Sequence, residues 1–171
     1  MKAALSELNA CDEERFTAVC GPFFEHSPGF ARRAAGRRPF ADREALLAAL
    51  CGEVERATVD EQVALVRAHP DLVGRLAREG KLTGESTQEQ AAAGLSNLSD
   101  QEIRLFERHN QAYHLQFGFP FVICARENKK EAILASFPAR LENTREQELR
   151  TALAEIYKIA RLRLFDTVVE E

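Results

Sequence analysis

The chain is 171 residues long and carries 23 basic and 27 acidic residues, for a net charge of -4. A chain of this length is typical of one domain that buries its core without metals or disulfides, so we expect a single domain over residues 1–171. The charge gives no basic field, which argues against nucleic acid or an anionic membrane as the partner. The four cysteines lie far apart, at Cys11, Cys20, Cys51 and Cys124. This spacing fits neither a metal motif nor a disulfide framework, and the first residues lack the apolar core of a signal peptide, so we expect a cytoplasmic protein without a metal.

Apolar residues recur at helical spacing along almost the whole chain, without alternating runs bounded by hairpin turns. We therefore predict an all-α fold, a single compact domain of about eight helices. The predicted helices lie near residues 12–20, 42–57, 60–68, 71–79, 87–93, 100–116, 129–137 and 144–166. Segments that contain Gly and Pro, such as GRRPF and GKLTGES, explain the breaks. Pro138 falls where the apolar pattern continues, so we expect the helix before it to stop or kink near Phe137.

His69 lies between two predicted helices, in the sequence HPDLVGR. Pro70 disfavours helical backbone at the residue before it, so one helix should end near Ala68 and the next should open at Pro70. A histidine held at such a joint suits a proton donor or acceptor aimed into a cleft. The alternative, which these seven residues favour on their own, is that His69 only caps the preceding helix. We expect His26, His109 and His114 to tolerate replacement by asparagine much better than His69.

The segment ESTQEQ, residues 85–90, has the pattern of a helix N-terminus. Ser86 and Glu89 form a capping box, in which each side chain satisfies a backbone N–H of the first turn. Residues 99–102, SDQE, repeat this pattern at the start of the next predicted helix. Capping is thus a sufficient account of the serine and the glutamate, but it does not explain Gln90 beside them.

The segment FGFPFVICA, residues 117–125, joins two further helices. Gly118 ends the helix before it, and Pro120 keeps the chain extended. An extended apolar segment without a sheet partner must satisfy its backbone groups in another way. Either water or a neighbouring loop pairs with them, or the backbone of residues 121–125 binds a small polar ligand.

Arg163 falls on the apolar face of the last predicted helix. At 3.6 residues per turn it shares that face with Leu149 and Ile156, whereas Arg161 points to the opposite, solvent side. An arginine on a core face needs a partner, and either a buried salt bridge or a bound anion supplies one. The sequence leaves these two roles open.

Five segments occur together in an order and spacing that resemble the OHCU decarboxylase family. They are LNACDEERFTAVCGPFFEHSPGFARRAAGRRPF, HPDL, LTGESTQEQ, FGFPFVICAR and IARLRL. Enzymes of this family act on 2-oxo-4-hydroxy-4-carboxy-5-ureidoimidazoline, abbreviated OHCU, in the degradation of urate. The resemblance runs from Leu8 to Leu164. Gly29 departs from it, because the family commonly has a bulky aromatic residue after Ser-Pro, and this difference concerns local packing rather than chemistry.

The resemblance implies an all-helical carboxy-lyase that needs no cofactor, releases CO2 and forms (S)-allantoin, and it implies a homodimer. By the same resemblance His69 is the catalytic histidine and Glu89 is its acidic companion. The implied substrate-binding residues are Pro70, Ser86, Thr87, Gln88, Gln90, Phe121, Val122, Ile123, Cys124, Ala125 and Arg163.

Two other classes of protein remain compatible with the sequence. A hydrolase or isomerase of the same purine pathway would use a similar polar pocket without a cofactor, but only a decarboxylase releases CO2. A helical interaction module would explain the helices and their caps equally well. It would not explain His69 and Arg163 together, and it would be expected to present an exposed apolar groove.

Overall fold

The computed structural model describes residues 2–170, except for the side chains of residues 75 and 76. The regular secondary structure of the described residues is almost entirely helical, which confirms the predicted all-α class. It divides into two compact units. The first unit comprises residues 2–68 and 157–170, and the second comprises residues 69–156.

The first unit contains the first five helices and the end of the last one. The five are α1 (Leu5–Ala10), α2 (Glu13–Cys20), α3 (Gly29–Ala35), α4 (Arg43–Glu55) and α5 (Val59–Ala68). Asp12 and Asp42 are the N-caps of α2 and α4, and each carboxylate accepts a hydrogen bond from the backbone N–H three residues later, at 2.7 Å. Two short strands, β1 (Ala3–Ala4) and β2 (Val168–Val169), pair in parallel.

Helical spacing of apolar residues builds the core of the first unit. Leu46, Leu50 and Val54 recur every four residues on α4 and are completely buried. Phe16 of α2 packs with its ring centroid 6.1 Å from that of Phe40. Burying each such side chain contributes about 1.5–3 kcal/mol to the free energy of unfolding.

The second unit contains four helices and the first part of a fifth. They are α6 (Arg75–Arg78), α7 (Gly84–Ala92), α8 (Asp100–Phe117), α9 (Lys130–Leu141) and α10 (Arg145–Thr167), whose last turns belong to the first unit. Ser99 caps α8 as predicted, because its hydroxyl accepts the Glu102 N–H at 3.2 Å. Gly118 ends α8 in the left-handed region, with a φ of 76°.

Two predicted helix starts are wrong. The helix predicted over 71–79 is confined to Arg75–Arg78, because Val73 has a φ of 55° and helical hydrogen bonding cannot pass through it. The helix predicted over 87–93 begins at Gly84 instead. Its N-cap is Thr83, whose hydroxyl accepts the Ser86 N–H at 3.2 Å, so the capping box at Ser86 does not form.

The described residues form ten α-helices instead of about eight, because the apolar pattern predicts neither α1 nor α3. These helices have 6 and 7 residues, too few to repeat a helical period clearly. Helix α9 runs through Pro138, so of the two outcomes predicted near Phe137, a stop or a kink, the stop does not occur. Ile133, Phe137 and Arg140 bury one face of α9 on both sides of the proline, and this burial outweighs the hydrogen bond that proline cannot donate.

A buried ionic network joins α8, α9 and α10 within the second unit. Glu148 is completely buried, and its Oε1 accepts hydrogen bonds from the Tyr113 hydroxyl at 2.5 Å and from Arg140 Nε at 2.6 Å. Asn143 Nδ2 donates to the other carboxylate oxygen at 2.9 Å. Burial and the hydrogen bond to Glu148 raise the pKa of Tyr113, so its hydroxyl stays protonated and donates at neutral pH. Three donors thus replace the water that the carboxylate loses on folding.

Removing the cation of this network should destabilise the protein strongly. Arg140→Leu leaves Glu148 buried without its guanidinium partner, and we expect a loss of about 3–5 kcal/mol in the free energy of unfolding. Urea denaturation measures this loss. The matched control is Arg150→Leu, because Arg150 pairs with Glu146 in an exposed ion pair and should matter little. Equal losses in the two variants would contradict the importance of the buried network.

Candidate functional site

His69 begins the second unit directly after α5 ends at Ala68, as predicted from Pro70. Its side chain is buried, with 8% of the residue exposed. The chain does not enter a helix at Pro70 but continues through a non-helical joint, residues 69–74, to α6. His69 is therefore held between a helix end and a folded joint, the position that suits a proton donor or acceptor.

Helix α7 carries the next group of predicted site residues. Ser86 and Gln90 lie one helical turn apart and are buried, and Glu89 beside them is half-buried. Thr87 and Gln88 lie on the exposed side of the helix. The Gln90 side chain contacts the joint, because its Oε1 accepts the Val73 N–H at 3.2 Å. Three of the predicted site residues, Ser86, Glu89 and Gln90, thus lie on one face of α7, and Thr87 and Gln88 do not.

Residues 121–125 are buried along their whole length. Residues 121–124 belong to no helix or strand, and Ala125 begins a short 3-10 helix, Ala125–Glu127. Arg140 Nη1 donates to the Val122 carbonyl at 2.6 Å, and the Arg140 guanidinium lies over the Phe121 ring, 4.1 Å from its centroid. The Cys124 N–H donates to Glu155 Oε1 at 3.3 Å. Charged side chains therefore satisfy part of this backbone. Within the described residues, the N–H groups of Val122 and Ile123 have no hydrogen-bond acceptor.

The side chain of Cys124 is not a reactive thiolate. Burial, reinforced by the negative charge of Glu127, raises the pKa of the Cys124 thiol to about 11. The side chain is therefore a neutral thiol at physiological pH. A thiol in that state is a poor nucleophile and packs as a small apolar group.

Arg163 is buried and Arg161 is exposed, which confirms the predicted phase of the last helix. Arg163 Nη1 donates to Glu25 Oε2 at 2.9 Å and to the Pro22 carbonyl at 2.9 Å, whereas Arg161 pairs with Glu44 at 2.6 Å. The salt bridge that the sequence offered as one of two roles is thus present.

Sequence reasoning missed Glu25 as the partner of Arg163. Glu25 is only 2% exposed and lies in the first unit together with Arg163. No spacing rule connects two residues that are 138 positions apart. The only available signal was the chemical one, that a buried arginine requires an acid.

Metal ligands and membrane helices are not found in the described residues. Over residues 2–170, no three His, Cys, Asp or Glu side chains are grouped so that they could hold a metal ion. Within the same range, no helix is both long and apolar enough to cross a bilayer. All four cysteines are free thiols.

Comparison with known proteins identifies the family. The family model described as OHCU decarboxylase matches residues 9–165. The chain belongs to the OHCU decarboxylase family. This family member is 38% identical to the 2-oxo-4-hydroxy-4-carboxy-5-ureidoimidazoline decarboxylase of Haloferax volcanii, over 98% of this chain and 97% of the relative. It is 40% identical to the enzyme of the same name from Amia calva, over 96% of this chain and 94% of the relative.

A solved structure extends this comparison to the fold. The crystal structure of an (S)-allantoin synthase superimposes on the family member with a TM-score of 0.76 and 26% identity. The match covers 98% of this chain and 54% of the synthase chain. The region matched by the family model spans both units and includes every predicted site residue, from His69 to Arg163.

The raised pKa of Cys124 predicts slow alkylation. At pH 8, a pKa of about 11 leaves roughly one thiol in a thousand as thiolate, and only the thiolate reacts with iodoacetamide. We expect Cys124 to react far more slowly than free cysteine, with a rate that rises as pH approaches 11. Peptide mass spectrometry over a pH series measures this rate. A rate at pH 8 equal to that of free cysteine would contradict the assignment of a neutral thiol.

Proposed function

We propose that this OHCU decarboxylase family member converts OHCU to (S)-allantoin and CO2 in urate degradation. The observation that carries the proposal is the family match over residues 9–165, which contains an intact HPDL joint and the S-x-x-E-Q face of α7. The buried and fixed position of His69 agrees with a role in proton transfer.

The chemistry requires an electron acceptor and a proton donor. When the C4–carboxylate bond of OHCU breaks, its electron pair moves into the adjacent imine-like bond of the ring, and the carboxylate carbon leaves as CO2. The substrate is thus its own electron sink, and the reaction needs no cofactor. The C4 hydroxyl then loses its proton as C4 becomes a carbonyl, while the ring nitrogen and the neighbouring ureido-bearing carbon C5 each take up one, so that one proton is gained in all. The face of C5 to which the proton adds sets the S configuration. The protein must therefore orient the carboxylate and deliver the proton.

His69 is the proposed acid or base for this proton transfer, acting at the substrate hydroxyl or at the ring carbon that becomes protonated. Glu89 is its proposed companion, and Ser86 and Gln90 offer polar groups from the same side of α7. The Oε1 of Gln90 already accepts a hydrogen bond from the Val73 N–H. We therefore assign the amide N–H groups of Gln90 to the substrate.

The remaining proposed contacts come from other segments. The buried backbone of residues 121–125 is proposed to form a wall of the pocket, because Arg140 and Glu155 fix it in place. Arg163 is proposed to bind a carboxylate or ureido oxygen of the substrate through its planar fork. Pro70, Thr87 and Gln88 complete the set through the family resemblance alone.

We also propose that the protein is a homodimer in the cytoplasm and that both units belong to one domain. The four free thiols fit a reducing compartment, and the family resemblance supports the dimer. The family model spans both units, which supports a single functional domain. Sedimentation velocity on the full-length chain tests the dimer.

Direct assay of the reaction tests the proposed activity. Urate oxidase and hydroxyisourate hydrolase generate fresh OHCU in the cuvette, and circular dichroism follows the appearance of (S)-allantoin while released CO2 is trapped. We expect the protein to accelerate both signals together. A hydrolase or isomerase would consume OHCU without CO2. A helical interaction module would leave the spontaneous, non-stereospecific reaction unchanged.

Replacing the proposed acid or base should affect turnover far more than stability. His69→Asn removes the titratable group from the joint, and we expect kcat to fall at least about a hundredfold. The melting temperature should stay near that of the wild type, because His69 is not part of an apolar stripe. Steady-state kinetics beside thermal melts measure both. Retained activity with a collapse in stability would favour the capping role instead.

His26→Asn is the matched control for this variant. His26 is exposed and has a φ of 46°, a conformation that asparagine tolerates better than most residues. Its replacement should therefore change neither turnover nor stability appreciably.

The two arginines of α10 should differ sharply. Arg163→Ala removes the buried guanidinium. This change should lower kcat/KM by more than roughly tenfold, because a lost charge-assisted contact costs roughly 2–5 kcal/mol. Arg163→Lys should restore activity only in part, since an ammonium lacks the planar fork. Arg161→Ala should change little. If Arg163→Ala lowers only the melting temperature, its salt bridge to Glu25 is purely structural.

A further inference from the structure

Helix α8 holds the backbone that follows His69 through two side chains. Asn110 Nδ2 donates to the Leu72 carbonyl at 2.8 Å, and His114 Nε2 lies 2.7 Å from Asp71 Oδ1. Asn110 and His114 are four residues apart, so they share one face of the helix. Contacts to two adjacent residues of the joint fix its direction as well as its position.

The next residue of the joint is strained. Val73 is β-branched and has a φ of 55°, in the left-handed region that such residues avoid. Its N–H donates to Gln90 Oε1. A conformation of this kind persists only where the surrounding structure imposes it. The path of the joint is therefore set by α7 and α8 rather than by its own sequence.

Asn110 is the buried member of the pair on α8. It is 6% exposed, and within the described residues its Oδ1 accepts no hydrogen bond. A leucine of similar size would fill this space without leaving a buried acceptor unsatisfied. Packing alone therefore does not account for an asparagine at this position, whereas the donor to Leu72 does.

We infer that Asn110 and His114 are positioning residues for His69, acting through the backbone of Leu72 and the side chain of Asp71. The inference rests on the proposed function, in which His69 transfers a proton. A proton donor works only at hydrogen-bonding distance, and small displacements of a catalytic group carry large losses in rate. This role for His114 differs from our sequence-based expectation that His114 tolerates replacement by asparagine much better than His69 does.

The test uses the full-length protein with 13C-labelled histidine, and it records kcat, KM and the imidazole resonance of His69 together. Asn110→Leu should lower kcat about tenfold or more with little change in KM, because geometry and not substrate binding is lost. The His69 resonance, assigned from its absence in His69→Asn, should shift in the same variant. Both changes should appear well below the melting temperature.

Variants of His114 give a second and independent measurement. His114 is partly exposed, so its replacement tests the contact without opening the core. His114→Ala should lower kcat and shift the His69 resonance, whereas His114→Gln keeps a donor for Asp71 and should restore both. Leu115→Ala is the matched control, because Leu115 follows on the same helix and is 82% exposed. It should leave kcat and the resonance unchanged.

The outcomes separate this inference from the proposed function. Lower melting temperatures with an unchanged kcat and an unchanged His69 resonance would overturn the inference and leave a structural role. If Asn110→Leu does not fold, the His114 variants decide the same question. If the wild type does not convert OHCU, the proposed function fails, and the His69 resonance alone shows whether α8 positions this residue.

Discussion

The buried carboxylate of Glu148 is the constraint on which the arrangement of the second unit depends. A carboxylate removed from water must be met by donors, and α8, α9 and the loop before α10 each supply one. The guanidinium of Arg140 is drawn to it and has further N–H groups to place. One of them reaches the Val122 carbonyl, and the planar face covers the Phe121 ring. The need to neutralise one acid therefore also fixes the segment that we propose as a wall of the substrate pocket.

A second buried pair has the same character in the first unit. Arg163 and Glu25 are both almost completely buried and are joined at 2.9 Å. Buried ion pairs add little net stability, because the loss of water around each charge offsets their attraction. What they provide is direction, since a paired guanidinium can adopt few orientations. A substrate contact from Arg163 would thus use a fork that Glu25 has already oriented.

Sequence reasoning succeeded where the physics is local. The phase of Arg163, the cap at Ser99 and the end of α8 at Gly118 depend on residues within one or two helical turns. It failed where distant contacts override local preference. The left-handed Val73 depends on Gln90, and the helix through Pro138 depends on the burial of its neighbours. The predicted site residues come from the family resemblance. Glu25 and Arg140, which contact two of them, and Asn110, which contacts Leu72 of the joint, lie far away in the chain, beyond the reach of any spacing rule.

The joint after His69 explains why polar side chains cluster there. Backbone that leaves a helix loses its regular hydrogen-bond partners, and a buried joint cannot recover all of them from water. Gln90 and Asn110 replace two of these partners, at Val73 and Leu72. Polar residues at this joint therefore hold the backbone that carries the histidine, a task separate from the proposed contact with the substrate. Gln90 combines both in the proposed site, so a loss of activity on its replacement measures the placement of His69 as well as substrate binding.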